Sequence, residues 1–115
     1  MNKTLRVPDY LGHILEAIKR IESYISDMDE AAFLSSNLVQ DAVIRNIEII
    51  GEASNNILRV APDFAAQHHN IPWHVMYAMR NRVSHGYDKV DFEMVWKTLR
   101  DDLPELYKLI KDASS

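Results

Sequence analysis

A short polar run in the second half of this 115-residue chain combines a permanent cation with a group that exchanges protons near neutral pH. The guanidinium of Arg80 is always charged, and its forked N–H donors match the oxygens of a phosphate. The imidazole of His85 can act as a general base or a general acid. The chain contains no Cys, and the sequence places no carboxylate cluster or metal-ligand set beside this pair. The combination indicates phosphoryl chemistry in which the substrate supplies its own nucleophile, as RNA does with its 2′-hydroxyl group.

The spacing of Arg80 and His85 requires a particular end to the helix that carries them. On an uninterrupted helix, residues five positions apart point about 140° away from each other. Gly86 readily adopts the left-handed conformation that closes a helix, so we expect the helix to end at His85 and its imidazole to turn toward Arg80. The charges of Arg80 and Arg82 act to lower the pKa of His85 from its usual value of about 6.5, whereas the helix C-terminus acts to raise it. The sequence leaves the sign of the net shift open.

The charge distribution favours one small anion site over an extended nucleic-acid surface. The whole chain has a formal net charge of −4, which argues against a protein coated in nucleic acid. Residues 73–90 carry three cations and one carboxylate, a net charge of +2, which leaves −6 for the remainder. A localised anion site explains this pattern, and chance clustering of three cations is the alternative.

Apolar residues recur with a helical period along the whole chain, and no stretch alternates long enough to predict a strand. The stripes predict a first helix over residues 8–27 and a long second helix over residues 36–60, which a short turn at 31–34 precedes. Gly51 lies in the middle of the long helix, where it costs about 1 kcal/mol relative to Ala, so we expect another helix to approach closely there. The stripes comprise Leu11, Ile14, Ile18, Ile21 and Ile25 in the first helix and Val39, Val43, Ile47, Ile50, Ala53 and Ile57 in the second.

The remaining stripes predict a third helix over residues 72–84, with Asn70 as its candidate N-cap, and a last helix capped by Asp91. Residues 67–70 are predicted to form a connection. Pro104 lies inside the last stripe and is expected to kink that helix without starting a new element. The predicted fold class is all-α: an antiparallel bundle of about four main helices plus short helical turns, formed by one domain over residues 1–115.

The composition excludes several classes of protein. Apolar residues make up 47% of the chain and charged residues 26%, which argues against a disordered or fibrous chain. No stretch approaches the ~20 apolar residues of a membrane span, and the N-terminus lacks the apolar region of a secretory signal. Without Cys there is no disulfide framework. We therefore expect a soluble cytoplasmic protein with no membrane association.

The segment from Arg80 to Tyr87 resembles the R-x4-H-x-Y signature of the HepT-like toxins, a branch of the HEPN superfamily of small helical ribonucleases. The resemblance extends over nearly the whole chain. The stretches at residues 50–53, 73–79 and 102–104 also have comparable sequence in that family. This resemblance implies one HEPN-like helical domain in a prokaryotic, cytoplasmic protein.

The resemblance also implies a function and a role for each residue of the signature. The chain is expected to be an endoribonuclease that needs no metal and no cofactor, acting as the toxin of a type VII-like toxin–antitoxin pair. Arg80 would bind and stabilise the RNA phosphate, His85 would move the proton, and Asn81 would orient the phosphate or its partner groups. Arg82 and Ser84, at variable positions of the signature, would only support RNA binding.

Two partners besides RNA follow from the same resemblance. Family members form a homodimer whose two signatures face a shared groove. A separate nucleotidyltransferase antitoxin attaches adenylate to the signature tyrosine, which is Tyr87 here. This chain has no sequence typical of a nucleotidyltransferase, so the antitoxin would be another protein.

Two other functions compete with the ribonuclease. A non-catalytic HEPN-like adaptor would use Arg80 and His85 to bind a nucleotide or an acidic protein surface, and a purely structural dimerisation bundle would leave the polar cluster unexplained. A binding module has no need of a titrating group beside its anion fork, which favours the enzyme.

Several other polar and aromatic residues have a structural interpretation. Glu52, beside Gly51, is expected to pair with an Arg, and a part in catalysis is the alternative. His13 is expected to pack or hydrogen-bond on the first helix. The remaining histidines outside the signature are predicted to be solvated rather than metal ligands, and the large aromatics to be core or dimer anchors: His68, His69 and His74, and Trp73, Tyr77 and Trp96.

Overall fold

The computed structural model describes residues 6–85 and 89–115, and of His85 it describes the backbone alone. The described residues form seven α-helices and no strand, which confirms the all-α prediction. No helix among them is long and apolar enough to cross a bilayer. The helices are α1 (Val7–Ile25), α2 (Glu30–Leu34), α3 (Asn37–Val60), α4 (Pro62–Gln67), α5 (Trp73–His85), α6 (Phe92–Asp101) and α7 (Leu103–Ala113).

The long helix α3 is the centre of the bundle, because α1 and α5 both make their most extensive contacts with it. Ser36 caps its N-terminus: the side-chain oxygen accepts a hydrogen bond of 3.2 Å from the backbone N–H of Val39. The apolar stripes predicted for α1 and α3 meet in the core, where Ile14, Ile18 and Val43 are fully buried. Burial of these stripes supplies the main driving force for the fold.

Helix α5 crosses α3 at Gly51, as the glycine in the middle of the long helix predicted. A Cβ atom added to Gly51 would lie 2.9 Å from the carbonyl oxygen of Met76 and 2.9 Å from Cγ of Arg80, and closer still to Cβ of Arg80. Real Cβ atoms essentially never approach other atoms so closely. The missing side chain at Gly51 therefore lets the backbone of α5 and the stem of Arg80 lie directly on α3.

The short helix α2 packs against α6 and α3. Asp29 caps it by accepting a hydrogen bond of 2.9 Å from the backbone N–H of Ala32. The fully buried ring of Phe33 packs against Phe92 and Trp96 of α6, with ring centroids 6.1 and 5.3 Å apart. Trp96 is thus a core residue.

The last apolar stripe forms two helices, so the prediction of one kinked helix is wrong. Pro104 lies in the first turn of α7, and its nitrogen has no hydrogen to donate to the preceding turn. The backbone N–H of Asp102 closes α6 on the carbonyl of Thr98, at 2.9 Å, and the carbonyl of Asp102 accepts from Leu106 at 3.0 Å to open α7. Proline is favourable at the start of a helix, so the chain begins a new element there.

The connection between α3 and α5 also differs from the prediction. Pro62 begins α4, a helix of 6 residues for which the sequence analysis predicted no element. Helix α5 begins at Trp73, and the carbonyl of Pro72 accepts the hydrogen bond from Met76 at 3.1 Å, so Asn70 is not its N-cap. Trp73 is buried, and its indole N–H donates to the carbonyl of His68 at 3.2 Å, which fixes the connection to the helix.

The contact at Gly51 predicts that Gly51→Ala destabilises the protein although alanine is the better helix former. Overpacking a tight contact costs about 1–3 kcal/mol, which exceeds the gain in helix propensity of at most about 1 kcal/mol. The matched control is Gly12→Ala on α1, where an added Cβ meets nothing within 4 Å and only the gain remains. Denaturant unfolding of both variants measures the difference. Equal stabilisation by the two substitutions would contradict the close contact.

Candidate nucleic-acid site

The side chain of Arg80 leaves the α3–α5 contact and ends at the protein surface. One terminal nitrogen, Nη1, donates a hydrogen bond of 3.0 Å to Oδ1 of Asn81. The other, Nη2, lies 3.8 Å from a carboxylate oxygen of Glu52 on α3. The Arg80 side chain is 28% exposed and that of Glu52 is 55% exposed. The guanidinium is therefore held on two sides and still open to solvent.

These two contacts leave the guanidinium able to bind an anion. Arginine has five N–H donors, and among the described residues only these two groups engage the side chain of Arg80. A phosphate oxygen could approach a free N–H edge without breaking either contact. Asn81, predicted to orient the phosphate or its partner groups, accepts this hydrogen bond from the guanidinium in the free protein, and its role toward a phosphate stays a prediction. The pairing of Glu52 with an Arg is confirmed.

Ser84, one turn further along α5, makes a second contact with α3. Its hydroxyl donates a hydrogen bond of 2.7 Å to a carboxylate oxygen of Glu48. Glu48 was not among the predicted site residues, although its position four residues before Glu52 places both carboxylates on one face of α3. This hydrogen bond connects α5 to α3, and the predicted support of RNA binding by Ser84 stays a prediction.

The other residues of the signature differ in what the structure describes. Arg82 is exposed, whereas its neighbour Val83 is fully buried and anchors this part of α5. Helix α5 is described as far as His85, and the prediction that it ends there stays untested because residues 86–88 lie outside the described part of the chain. The expectations for the His85 imidazole, for the helix-closing conformation of Gly86 and for Tyr87 fall outside the described residues and stay predictions.

A polar groove of about 380 Å³ opens beside Arg80, lined by residues of α1 and α3. Arg45 and the exposed His13 bring positive or titratable groups to this groove, and Asn56 brings an amide. The His13 ring packs edge-on against Tyr10, with ring centroids 6.2 Å apart, in agreement with its predicted packing role. Glu48 and Glu52 line the same groove, so it offers hydrogen-bond donors and carboxylates side by side next to Arg80.

Within residues 6–85 and 89–115, no group of three His, Asp or Glu side chains is arranged to hold a metal ion. Among the described residues, the site at Arg80 presents a guanidinium, the amide of Asn81 and the carboxylate of Glu52.

Comparison with known proteins assigns most of the helical bundle to a family. The family model described as "Ribonuclease HepT-like" matches residues 14–113. The chain is 45% identical over 98 residues to "Probable ribonuclease HepT" of Thermococcus cleftensis, which covers 85% of this chain and 86% of that protein.

Two proteins of Methanocaldococcus jannaschii are also similar. One, named "Putative RNase", is 34% identical over 105 residues, which covers 91% of this chain and 94% of that protein. The other, named "Gamma-glutamylcyclotransferase and putative RNase", is 41% identical over 106 residues, 92% of this chain but 46% of the longer protein.

No solved structure matches the chain. The family match nevertheless spans most of the helical bundle, including the α3–α5 contact and the described part of the signature. This chain belongs to the HepT-like ribonuclease family.

Proposed function

We propose that this chain is a metal-independent endoribonuclease and the toxin of a toxin–antitoxin pair. The observation that carries the proposal is the placement of Arg80, whose partly exposed guanidinium is held between Glu52 and Asn81 five residues before His85. A guanidinium held in this way is preorganised to bind a phosphate. Membership in a ribonuclease family makes RNA the substrate that fits this site.

The proposed reaction is attack by the RNA on its own backbone. The imidazole of His85 takes the proton of the 2′-hydroxyl, the 2′-oxygen bonds to phosphorus, and the bond from phosphorus to the 5′-oxygen breaks. A second imidazole gives its proton to the departing 5′-oxygen. Arg80 stabilises the charge that accumulates on the phosphoryl oxygens. The products are a 2′,3′-cyclic phosphate and a 5′-hydroxyl end.

This reaction predicts cleavage of RNA in excess chelator and a large loss of activity in His85→Ala. A positioned proton carrier contributes about 10²- to 10⁴-fold to the rate. His74→Ala is the matched control, because His74 is an exposed histidine on the same helix. The measurement is the cleavage rate of a labelled RNA, with mass analysis of the product ends.

Three outcomes would contradict the proposal: cleavage that requires added Mg²⁺, equal activity of His85→Ala and wild type, or product ends without a cyclic phosphate or its hydrolysis product. Binding of RNA without cleavage would instead favour the non-catalytic adaptor.

A homodimer would supply the second imidazole. One histidine cannot accept and donate a proton in the same step, whereas a two-fold pair offers one neutral and one protonated ring around a single phosphate. A groove of about 420 Å³ is lined by residues of α3, α5, α6 and α7. Its lining is mainly apolar, which supports a contact between copies at this surface. Val75 on its rim is 64% exposed, and Met79 in its wall directly precedes Arg80. A second copy seated there would contact α5, the helix that carries the signature.

This contact predicts that Val75→Glu yields a monomer that has lost most ribonuclease activity. Because the side chain of Val75 is mostly exposed, a carboxylate at this position destabilises the proposed dimer contact and leaves the monomer folded. Leu38→Glu is the control, because Leu38 is 80% exposed at the start of α3. Light scattering gives the mass of each variant. A monomeric wild type with full activity would overturn the homodimer.

Adenylylation of Tyr87 by a separate nucleotidyltransferase is the proposed means of neutralisation. Each adenylate would add a phosphodiester charge close in sequence to Arg80 and Arg82. A tethered phosphate competes with RNA at a high effective concentration, so it would occupy the phosphate site without a change of fold.

The switch predicts that Tyr87→Phe keeps much of the cleavage activity and escapes neutralisation by its antitoxin. Intact-mass analysis after co-expression with the nucleotidyltransferase should show added adenylate on wild type and none on Tyr87→Phe. Tyr24→Phe on α1, which replaces an exposed tyrosine outside the signature, should be modified like wild type. Modification of Tyr87→Phe at another residue, or equal neutralisation of all three proteins, would refute the switch.

A further inference from the structure

Two carboxylates of α3 contact two signature residues of α5 in matching register. Glu48 and Glu52 are one turn apart on α3, and Ser84 and Arg80 are one turn apart on α5. Glu48 accepts a hydrogen bond from Ser84 at 2.7 Å, and Glu52 lies 3.8 Å from Arg80. The two helices are thus joined by two polar contacts beside the tight contact at Gly51.

We propose that Glu48 and Glu52 are positioning residues for the ribonuclease reaction, an inference that rests on the proposed function. Glu52 holds the guanidinium of Arg80 in the orientation that receives the phosphate. Glu48, through Ser84, holds the last turn of α5, which leads directly into His85. Neither carboxylate needs to touch the RNA to act in this way.

The geometry at Arg80 supports a positioning role for Glu52. Gly51 fixes where the stem of Arg80 leaves α5, but the side chain has several rotatable bonds beyond that point. Asn81 binds Nη1 and Glu52 faces Nη2, so the two partners together define the plane of the guanidinium. Removal of Glu52 would leave one terminal nitrogen free to move.

Stability alone is a poor explanation for the Glu52 contact. The carboxylate is more than half exposed, and an ion pair at 3.8 Å in such a setting contributes little to folding. The contact of Glu48 with Ser84 is shorter and half-buried, as expected for a charge-assisted hydrogen bond. The buried side chain of Val83, between Arg80 and Ser84, already packs this part of α5 into the core, so packing does not require the hydrogen bond.

The charge of Glu52 gives its role a distinctive signature. A carboxylate beside a phosphate site repels the phosphate, so its removal favours RNA binding. If Glu52 nevertheless positions Arg80, its removal slows the reaction of bound RNA. Glu52→Gln is therefore expected to lower kcat and to leave KM unchanged or lower, whereas loss of an RNA contact would raise KM.

The experiment measures kcat and KM for cleavage of a labelled RNA by the full-length protein and by Glu52→Gln and Glu48→Gln. Both variants are expected to lose about 10- to 100-fold in kcat, the scale of a small misplacement of a reacting group. The control is Glu16→Gln, which removes the exposed ion pair of Glu16 with Arg20 at 3.6 Å on α1 and should change neither constant. Unchanged kcat in both variants, or a rise in KM alone, would overturn the proposal.

The second arm does not depend on activity. In the ¹⁵N NMR spectrum of the free protein, Glu52→Gln should increase the mobility of the Arg80 Nε–H group, and Glu48→Gln should speed hydrogen exchange in the last turn of α5. Ser84→Ala should reproduce the exchange change of Glu48→Gln without adding to it in the double variant. Unchanged mobility and exchange would refute the positioning role. If the variants show the expected changes in mobility and exchange but the wild type does not cleave RNA, the proposed function fails and the contacts of the two carboxylates stand.

Discussion

The contact between α3 and α5 at Gly51 determines where the chemistry of this protein can lie. Any other residue at that position would bring a Cβ atom into the stem of Arg80 and the backbone of Met76. Because the backbone of α5 lies so close, Arg80 starts from the centre of the bundle and still ends at solvent. The free energy that glycine costs in a helix interior is offset here by packing that a larger residue would prevent.

Charge gives the site its second constraint. The molecule is acidic overall, yet it presents the guanidinium of Arg80 at the surface beside a polar groove. Glu52 next to that guanidinium both steadies it and opposes the phosphate proposed to bind there. The first effect favours the rate of the proposed reaction, and the second lowers the affinity for RNA. This combination accords with a site that must orient a phosphate more than it must hold RNA tightly. An acidic chain with one such site avoids general attraction to nucleic acid.

The sequence predicted those features that follow from local periodicity and from single residues with strong preferences. The 3.6-residue apolar stripes predicted α1 and α3 closely, and an interior glycine predicted the tight helix contact. The break at Asp102 was missed because an apolar stripe continues across it, and only the backbone geometry at Pro104 decides between a kink and a new helix. Asn70 is a suitable cap by residue type, but the first hydrogen bond of α5 is accepted by the carbonyl of Pro72, and the helix begins at Trp73.

The site was predictable in its signature and less so in its supporting residues. Arg80 and Asn81 were predicted as site residues, but their side-chain contact was not, because adjacent residues on a helix point about 100° apart. Glu52 was recognised through its neighbour Gly51. Glu48 lies 36 residues from Ser84, and the register of α5 on α3 that joins them is a tertiary property. The four-residue spacing of Glu48 and Glu52 was visible in the sequence, but its significance depends on Ser84 and Arg80, which contact the two carboxylates in the folded protein.

The central claim is that the guanidinium held at the α3–α5 contact receives the phosphate that is cleaved. A structure of the protein bound to an RNA oligonucleotide with a 2′-deoxy nucleotide at the cleavage site tests it most directly, because that RNA binds but has no nucleophile. The account predicts the scissile phosphate within hydrogen-bond distance of Arg80, about 2.7–3.2 Å, with Glu52 still beside Nη2. A phosphate bound away from Arg80, at Arg45 or Arg59 for example, would contradict it.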